Sequence, residues 1–125
     1  MDLESLRNYC LSKKLASEDM PFGEDTLVFR VLGKIFALTS LDLNTEGSNP
    51  DKASGCRVNL KCNPDYAIEL REKFVDIQPG YHMNKKHWNT VYCENGLDSA
   101  LIKSLIDHSY DLIVQSMTKA QRDLL

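Results

Sequence analysis

C-R-V-N-L-K-C-N-P-D, Cys56 to Asp65, is the stretch on which the reading of the fold turns. Cys56, Val58, Leu60 and Cys62 alternate with Arg57, Asn59 and Lys61, the period of two that sets one row of side chains against a core and the other in water. Asn63-Pro64-Asp65 then starts a helix: the asparagine caps, proline takes the first helical position, and the acid faces the positive end of the dipole. That helix should run to about Lys73 and bury Tyr66 or Ala67, Leu70 and Phe74. A strand with a wet, basic face leading directly into a helix marks a mixed α and β chain.

Working upstream, Thr26 to Val31 also alternates, with Leu27, Phe29 and Val31 on one side. A second apolar run, Ile35 to Leu41, follows Leu32-Gly33, so a tight hairpin joins the two and Gly33 supplies the positive φ it needs. Asp42 to Ser54 is polar and rich in turn formers, an exposed hairpin loop and not a domain linker. At the start, Leu3, Leu6 and Cys10 recur at helical spacing after a capping Asp2, which gives an amphipathic helix over 2–14. Leu15 to Asp25 contains Pro21, Gly23 and the acids Glu18, Asp19, Glu24 and Asp25, and reads as a loop whose acids serve solvation better than cation binding.

Downstream, Val75 to Gln78 forms a short strand, Asn89 to Cys93 another, and Glu94-Asn95-Gly96 turns the chain. Asp98 or Ser99 caps the longest helix, whose Leu101, Ile102, Leu105, Ile106, Leu112 and Ile113 share one stripe. Thr118 and Gln121 have capping-box spacing for a last helix, Lys119 to Leu125. The expectation is α+β: one antiparallel sheet from strands near 26–31, 35–41, 56–62, 75–78 and 89–93, with the N-terminal helix 2–14 and the C-terminal helix 98–117 packed on one face.

The 125 residues form one domain, 1–125, and 42% hydrophobic against 26% charged content excludes disorder as the main state. With a formal net charge of -3, nucleic-acid binding has to come from a local basic patch acting against the overall field. Cys10, Cys56, Cys62 and Cys93 are dispersed, which suits reduced, partly buried thiols in a cytoplasmic protein. No apolar run approaches membrane-spanning length, so no membrane partner is expected.

Unlike chemistry is concentrated in P-G-Y-H-M-N-K-K-H-W-N-T-V-Y, Pro79 to Tyr92. A Pro-Gly turn, then one helical turn from Asn84, leaves Lys85, Lys86, His87 and Trp88 on a tight connection. A cationic pair beside an aromatic can hold a phosphate backbone and stack a base. The plainer reading has Trp88 anchoring the core with Tyr81 and Met83 beside it while the lysines wet the surface. Arg57 and Lys61 share a strand face and Arg30 and Lys34 flank the first hairpin, so the sheet order decides whether these cations form a patch or an ordinary solvated face. No nucleophile elbow, phosphate loop or dinucleotide fingerprint is present, and Cys93 with His82 or His87 is the one close pairing for a thiol enzyme. His82 and His87 lie five apart, a poor spacing for a metal, and His108 reads as a surface residue. No catalytic residue, metal ligand or cofactor is assigned.

The sequence resembles the MmcQ/YjbR family of small bacterial proteins along nearly its whole length. The resemblance is carried by P-F-G at 21–23, V-L-G-K-I-F-A at 31–37, N-L-K-C-N-P-D-Y-A-I-E-L-R at 59–71, P-G-Y-H-M-N-K-K-H-W-N-T-V at 79–91 and L-I-D-H-S-Y-D-L-I at 105–113. It implies a frataxin-like α+β fold and DNA binding through a double wing of hairpins, without agreed catalytic residues. On that reading Lys85, Lys86, His87 and Trp88 carry the contact with Arg57 and Lys61 in support, in a non-enzymatic cytoplasmic monomer. The alternatives are a small-molecule or protein-interaction domain with a pocket at Tyr81, His82 and Trp88, and a frataxin-like, metal-related role.

Overall fold

A computed structural model describes residues 1–40, 56–81 and 83–125. The loop expected at 42–54, the end of the strand expected to reach Leu41, and His82 lie outside the described residues. The elements follow the order α1 (Leu3–Leu11), β1 (Ala16–Asp19), β2 (Thr26–Val31), β3 (Lys34–Ser40), β4 (Arg57–Lys61), α2 (Pro64–Lys73), β5 (Ile77–Pro79), β6 (Trp88–Tyr92), α3 (Ser99–Gln115) and α4 (Lys119–Arg122). Six strands form one antiparallel sheet in the order β1-β2-β3-β4-β6-β5, which is the α+β class expected.

The capping chemistry acts as its residue types require. The Asp2 carboxylate accepts the Ser5 amide at 2.8 Å, Asn63 accepts the Asp65 amide at 3.1 Å, and Asp98 accepts the Ala100 amide at 3.0 Å. Thr118 and Gln121 close a reciprocal capping box, but the helix it opens ends at Arg122. Val31 pairs with Lys34 around Leu32-Gly33, and both turn residues have positive φ, 49° at Leu32 and 83° at Gly33. This is the backbone that a twisted two-residue hairpin demands, and a leucine there is strained by about 1 kcal/mol or more.

The inner face of the sheet carries Leu27, Phe29, Val31, Phe36, Ala37, Val58, Leu60 and Val91. Onto it pack Leu6 and Cys10 of α1, Ala67 and Leu70 of α2, and Ile102, Leu105, Ile106 and Ile113 of α3. Phe36 meets Tyr110 edge-on at 5.3 Å between ring centroids. All four cysteines are free and buried; burial pushes the Cys10 thiol up to about 12 and the Cys62 thiol up to about 11. Cys56 and Cys93 flank the paired strands β4 and β6, and the hydrogen bond that the Cys93 thiol donates to Cys56, together with burial, raises the Cys93 thiol as well.

The N-terminal stretch departs from expectation. Ala16–Asp19 is not loop: it is strand β1, paired with Val28 to Val31. Its acids are structural, with Glu18 held by Arg7 at 2.5 Å and Asp19 by Arg30 at 3.2 Å. Helix α1 accordingly stops at Leu11, because Ser12 to Leu15 must reverse the chain, with Leu15 at φ 57°. Strand β5 also starts two residues later than the expected Val75. Among the described residues, no helix is long and apolar enough to cross a membrane.

Candidate functional site

The outer face, turned away from α3, carries a cleft of about 490 Å³. Its sides are the aromatic rings of Phe22, Tyr81 and Trp88, with Ile35, Leu38, Arg57 and Asn59 from β3 and β4 completing it. Register explains the arrangement. Leu38 pairs with Asn59, Asn59 with Thr90, and Lys61 with Trp88, so alternate residues of three adjacent strands face the same way.

Tyr81 is placed by its backbone. Thr90 Oγ1 accepts the Tyr81 amide at 2.9 Å and Asn59 Nδ2 donates to the Tyr81 carbonyl at 3.3 Å, while Thr90 donates to Asn59 Oδ1 at 2.5 Å. The phenol, 57% exposed at residue level, then lies under the Arg57 guanidinium at 5.7 Å from ring centroid to Cζ. Gly80 permits the approach: its amide donates to the Trp88 carbonyl at 2.9 Å, and a Cβ at Gly80 would sit 2.8 Å from the Trp88 Cβ.

The connection from Asn84 is the single helical turn its sequence predicts. Asn84 Oδ1 accepts the Lys86 amide at 2.9 Å, and the Asn84 carbonyl accepts from His87 at 3.2 Å and Trp88 at 2.9 Å. From the inner side, Arg71 of α2 donates to Asn89 Oδ1 at 2.6 Å, to the Trp88 carbonyl at 3.3 Å and to the Lys85 carbonyl, so one guanidinium anchors the turn. Trp88 is partly buried, and it packs on the outer face instead of anchoring the core.

Of the residues singled out in the sequence, Arg57, Tyr81 and Trp88 come together in the cleft, and Lys61 stands across the ladder from Trp88. Lys85 and Lys86 are exposed and His87 is partly buried on the turn beyond; none of the three lines the cleft. Arg30 is drawn off by Asp19 and the Gly33 carbonyl. Phe22, Asn59, Thr90 and Arg71 were not expected at the site. Asn59 and Thr90 lie at the alternate, outward positions of their strands, which is the signal that could have found them; Phe22 and Arg71 fall within the 21–23 and 59–71 stretches that carry the family resemblance, which assigns neither a role. Among the described residues, no group of three or more histidine, cysteine or acidic side chains is arranged to hold a metal.

His108 is not a free surface residue. Its Nε2 accepts the Asn63 amide at 3.2 Å and its ring meets Tyr66 edge-on at 5.4 Å. Burial holds its pKa below the ordinary imidazole value, against the pull of Asp111, and the acceptor role requires the neutral ring. The folded pKa lies below the unfolded one, so this contribution is complete above about pH 6.5 and is lost as the pH falls through the folded value. Urea melts at pH 7 and pH 5 should therefore show a larger acid loss for the parent than for His108→Gln, whose amide oxygen can still accept. Equal losses would remove the assignment.

The chain matches the family model described as YjbR over residues 11–112. It belongs to the YjbR family. Relatives of this YjbR-family chain include the uncharacterised protein YbdF of Escherichia coli O157:H7, 35% identical across 95% of this chain and 93% of that protein. The uncharacterised protein YjbR of E. coli K12 is 30% identical across 100% and 98%. The crystal structure of Deinococcus radiodurans protein DR2400, from the DUF419 domain family, superposes with a TM-score of 0.83 at 34% identity, over 98% of this chain and 86% of that one. A Pseudomonas syringae crystal structure gives 0.75 at 34% identity, over 90% and 98%. The fold described above is thus the fold of the family.

Proposed function

We propose that this YjbR-family protein is a non-catalytic binding module of the cytoplasm, acting as a monomer, whose ligand enters the outer-face cleft. The observation that carries the reading is the cleft itself: at about 490 Å³ it falls in the few-hundred to roughly 1,000 Å³ range of small-molecule sites. Its lining fits as well, being mainly apolar and aromatic with a few oriented polar groups. Backbone contacts through Asn59, Thr90 and Arg71 preform the walls, which lowers the ordering cost of binding.

DNA binding is the second reading. It is favoured by Lys85 and Lys86, which stand exposed on the turn that ends at Trp88. A concave aromatic site accepts unpaired bases more readily than a duplex, so single strands should bind better, weakly, with phosphates along the lysines.

Titration of Trp88 emission, the signal of the chain's sole tryptophan, with fragment-sized aromatics and with single-stranded and duplex DNA at two salt concentrations tests both readings. The cleft reading expects aromatics to change the emission, and Leu38→Arg, which fills the cleft, to abolish the change. The DNA reading expects Lys85→Ala with Lys86→Ala to lower the slope of log affinity on log salt by about 1 to 2. If no aromatic reaches Trp88 the first reading fails, and if no strand binds at low salt the second does.

A further inference from the structure

We infer that the cleft selects a planar aromatic monocarboxylate, with Arg57 as the residue that reads the carboxylate. The inference rests on the reading of the cleft as a ligand site. Among the described residues that line the cleft, Arg57 is the one cation and none is an acid. The guanidinium has no carboxylate partner among the described residues, whereas Arg7 is held by Glu18, Arg30 by Asp19 and Arg71 by Asn89. It lies over the face of Tyr81, and a guanidinium stacked on a ring keeps the N–H edges of its fork free for a planar acceptor.

The support beneath it is rigid, because both backbone polar groups of Tyr81 are tied to the Asn59-Thr90 pair. Beside the guanidinium, Phe22, Leu38, Met83 and Trp88 supply an apolar, ring-sized lining. A ligand that matches this surface has a flat apolar body and a single negative charge. A phosphate ester carries a charge of roughly -1.5 to -2 near neutral pH, more than one guanidinium balances. A neutral isostere leaves the guanidinium partly desolvated and without an acceptor.

The chain's one tryptophan gives one indole N–H signal in nitrogen-edited NMR spectra, a reporter fixed in the cleft wall. The parent protein is titrated with 2-naphthoate, 2-naphthamide and 2-naphthyl phosphate. The expected result is that all shift the Trp88 signal, with 2-naphthoate binding at least about tenfold more tightly than the amide. Arg57→Met, which keeps the stem and should melt like the parent, brings the acid down to the level of the amide; Arg57→Lys retains part of the preference. Equal binding of acid and amide overturns the carboxylate assignment while leaving the cleft as a ligand site. Tighter binding of the phosphate ester overturns it in favour of a phosphorylated ligand. If no probe moves the Trp88 signal, the cleft reading itself falls.

Discussion

Ser109→Ala is expected to destabilise the fold by about 3 kcal/mol, an unusual loss for removing one oxygen from the middle of a helix. Ser109 is fully buried in α3; its hydroxyl donates to the Phe36 carbonyl at 2.6 Å and accepts the Lys61 amide at 2.9 Å. The register shows why the hydroxyl is needed. Ala37 pairs with Leu60, so the next rung would join Phe36 to Lys61, but β2 skips Phe36 by pairing Phe29 with Ala37 and Arg30 with Ile35. The bulge turns Phe36 out of the regular ladder, and Ser109 bridges the two strands in its place. Alanine leaves a carbonyl and an amide unsatisfied in the interior, each costing about 1–3 kcal/mol. The denaturation midpoint should fall with little change in slope, and the Lys61 amide should lose protection from hydrogen exchange. A loss under about 1 kcal/mol with that amide still protected would mean the strands close the rung directly, and the bridge would lose its assigned role.

Gly80→Ala is expected to cost about 2 to 3 kcal/mol and to damage the cleft more than the fold. A Cβ at this position meets the Trp88 Cβ at 2.8 Å, the Trp88 carbonyl at 2.9 Å and the Met83 Cβ at 3.0 Å. One of these is backbone already engaged with the Gly80 amide, so the hairpin must open for the methyl group to fit. Trp88, Met83 and Tyr81 move with it, so Trp88 emission should shift to the red and ligand binding should fall along with stability. Gly33→Ala is the control: no atom lies within 4 Å of its added Cβ, but φ is +83°, so its cost is the conformational one of about 1–2 kcal/mol and the cleft is untouched. If both variants keep the parent's emission, space at Gly80 is not what holds the cleft wall.

Elements whose local chemistry and burial agree could be read from the sequence alone. Cys56 to Asp65 combines a clean period of two with a capped proline start, and β4 and α2 follow it within a residue. Strand β1 could not be read this way, because A-S-E-D has no apolar alternation and becomes a strand through pairing to β2 and the Arg7-Glu18 and Arg30-Asp19 ion pairs. The cleft was half legible. Arg57, Tyr81 and Trp88 stood out by residue type, but their meeting depends on β4 lying beside β6, a fact of strand order that no local pattern contains. Ser109 was hidden for the opposite reason: a serine inside an apolar helical stripe looks like tolerated polarity until the bulge opposite it is known.

The two ends of the sheet limit how this molecule can meet others. Strand β1 has four residues, of which Glu18 and Asp19 are charged; β5 has three and ends in Pro79, which has no amide to offer. Neither rim presents the long, unbroken row of donors and acceptors that an incoming peptide needs in order to add itself as a seventh strand. Recognition by strand addition and runaway edge-to-edge stacking are therefore both discouraged, and contact with the sheet is directed to its broad face.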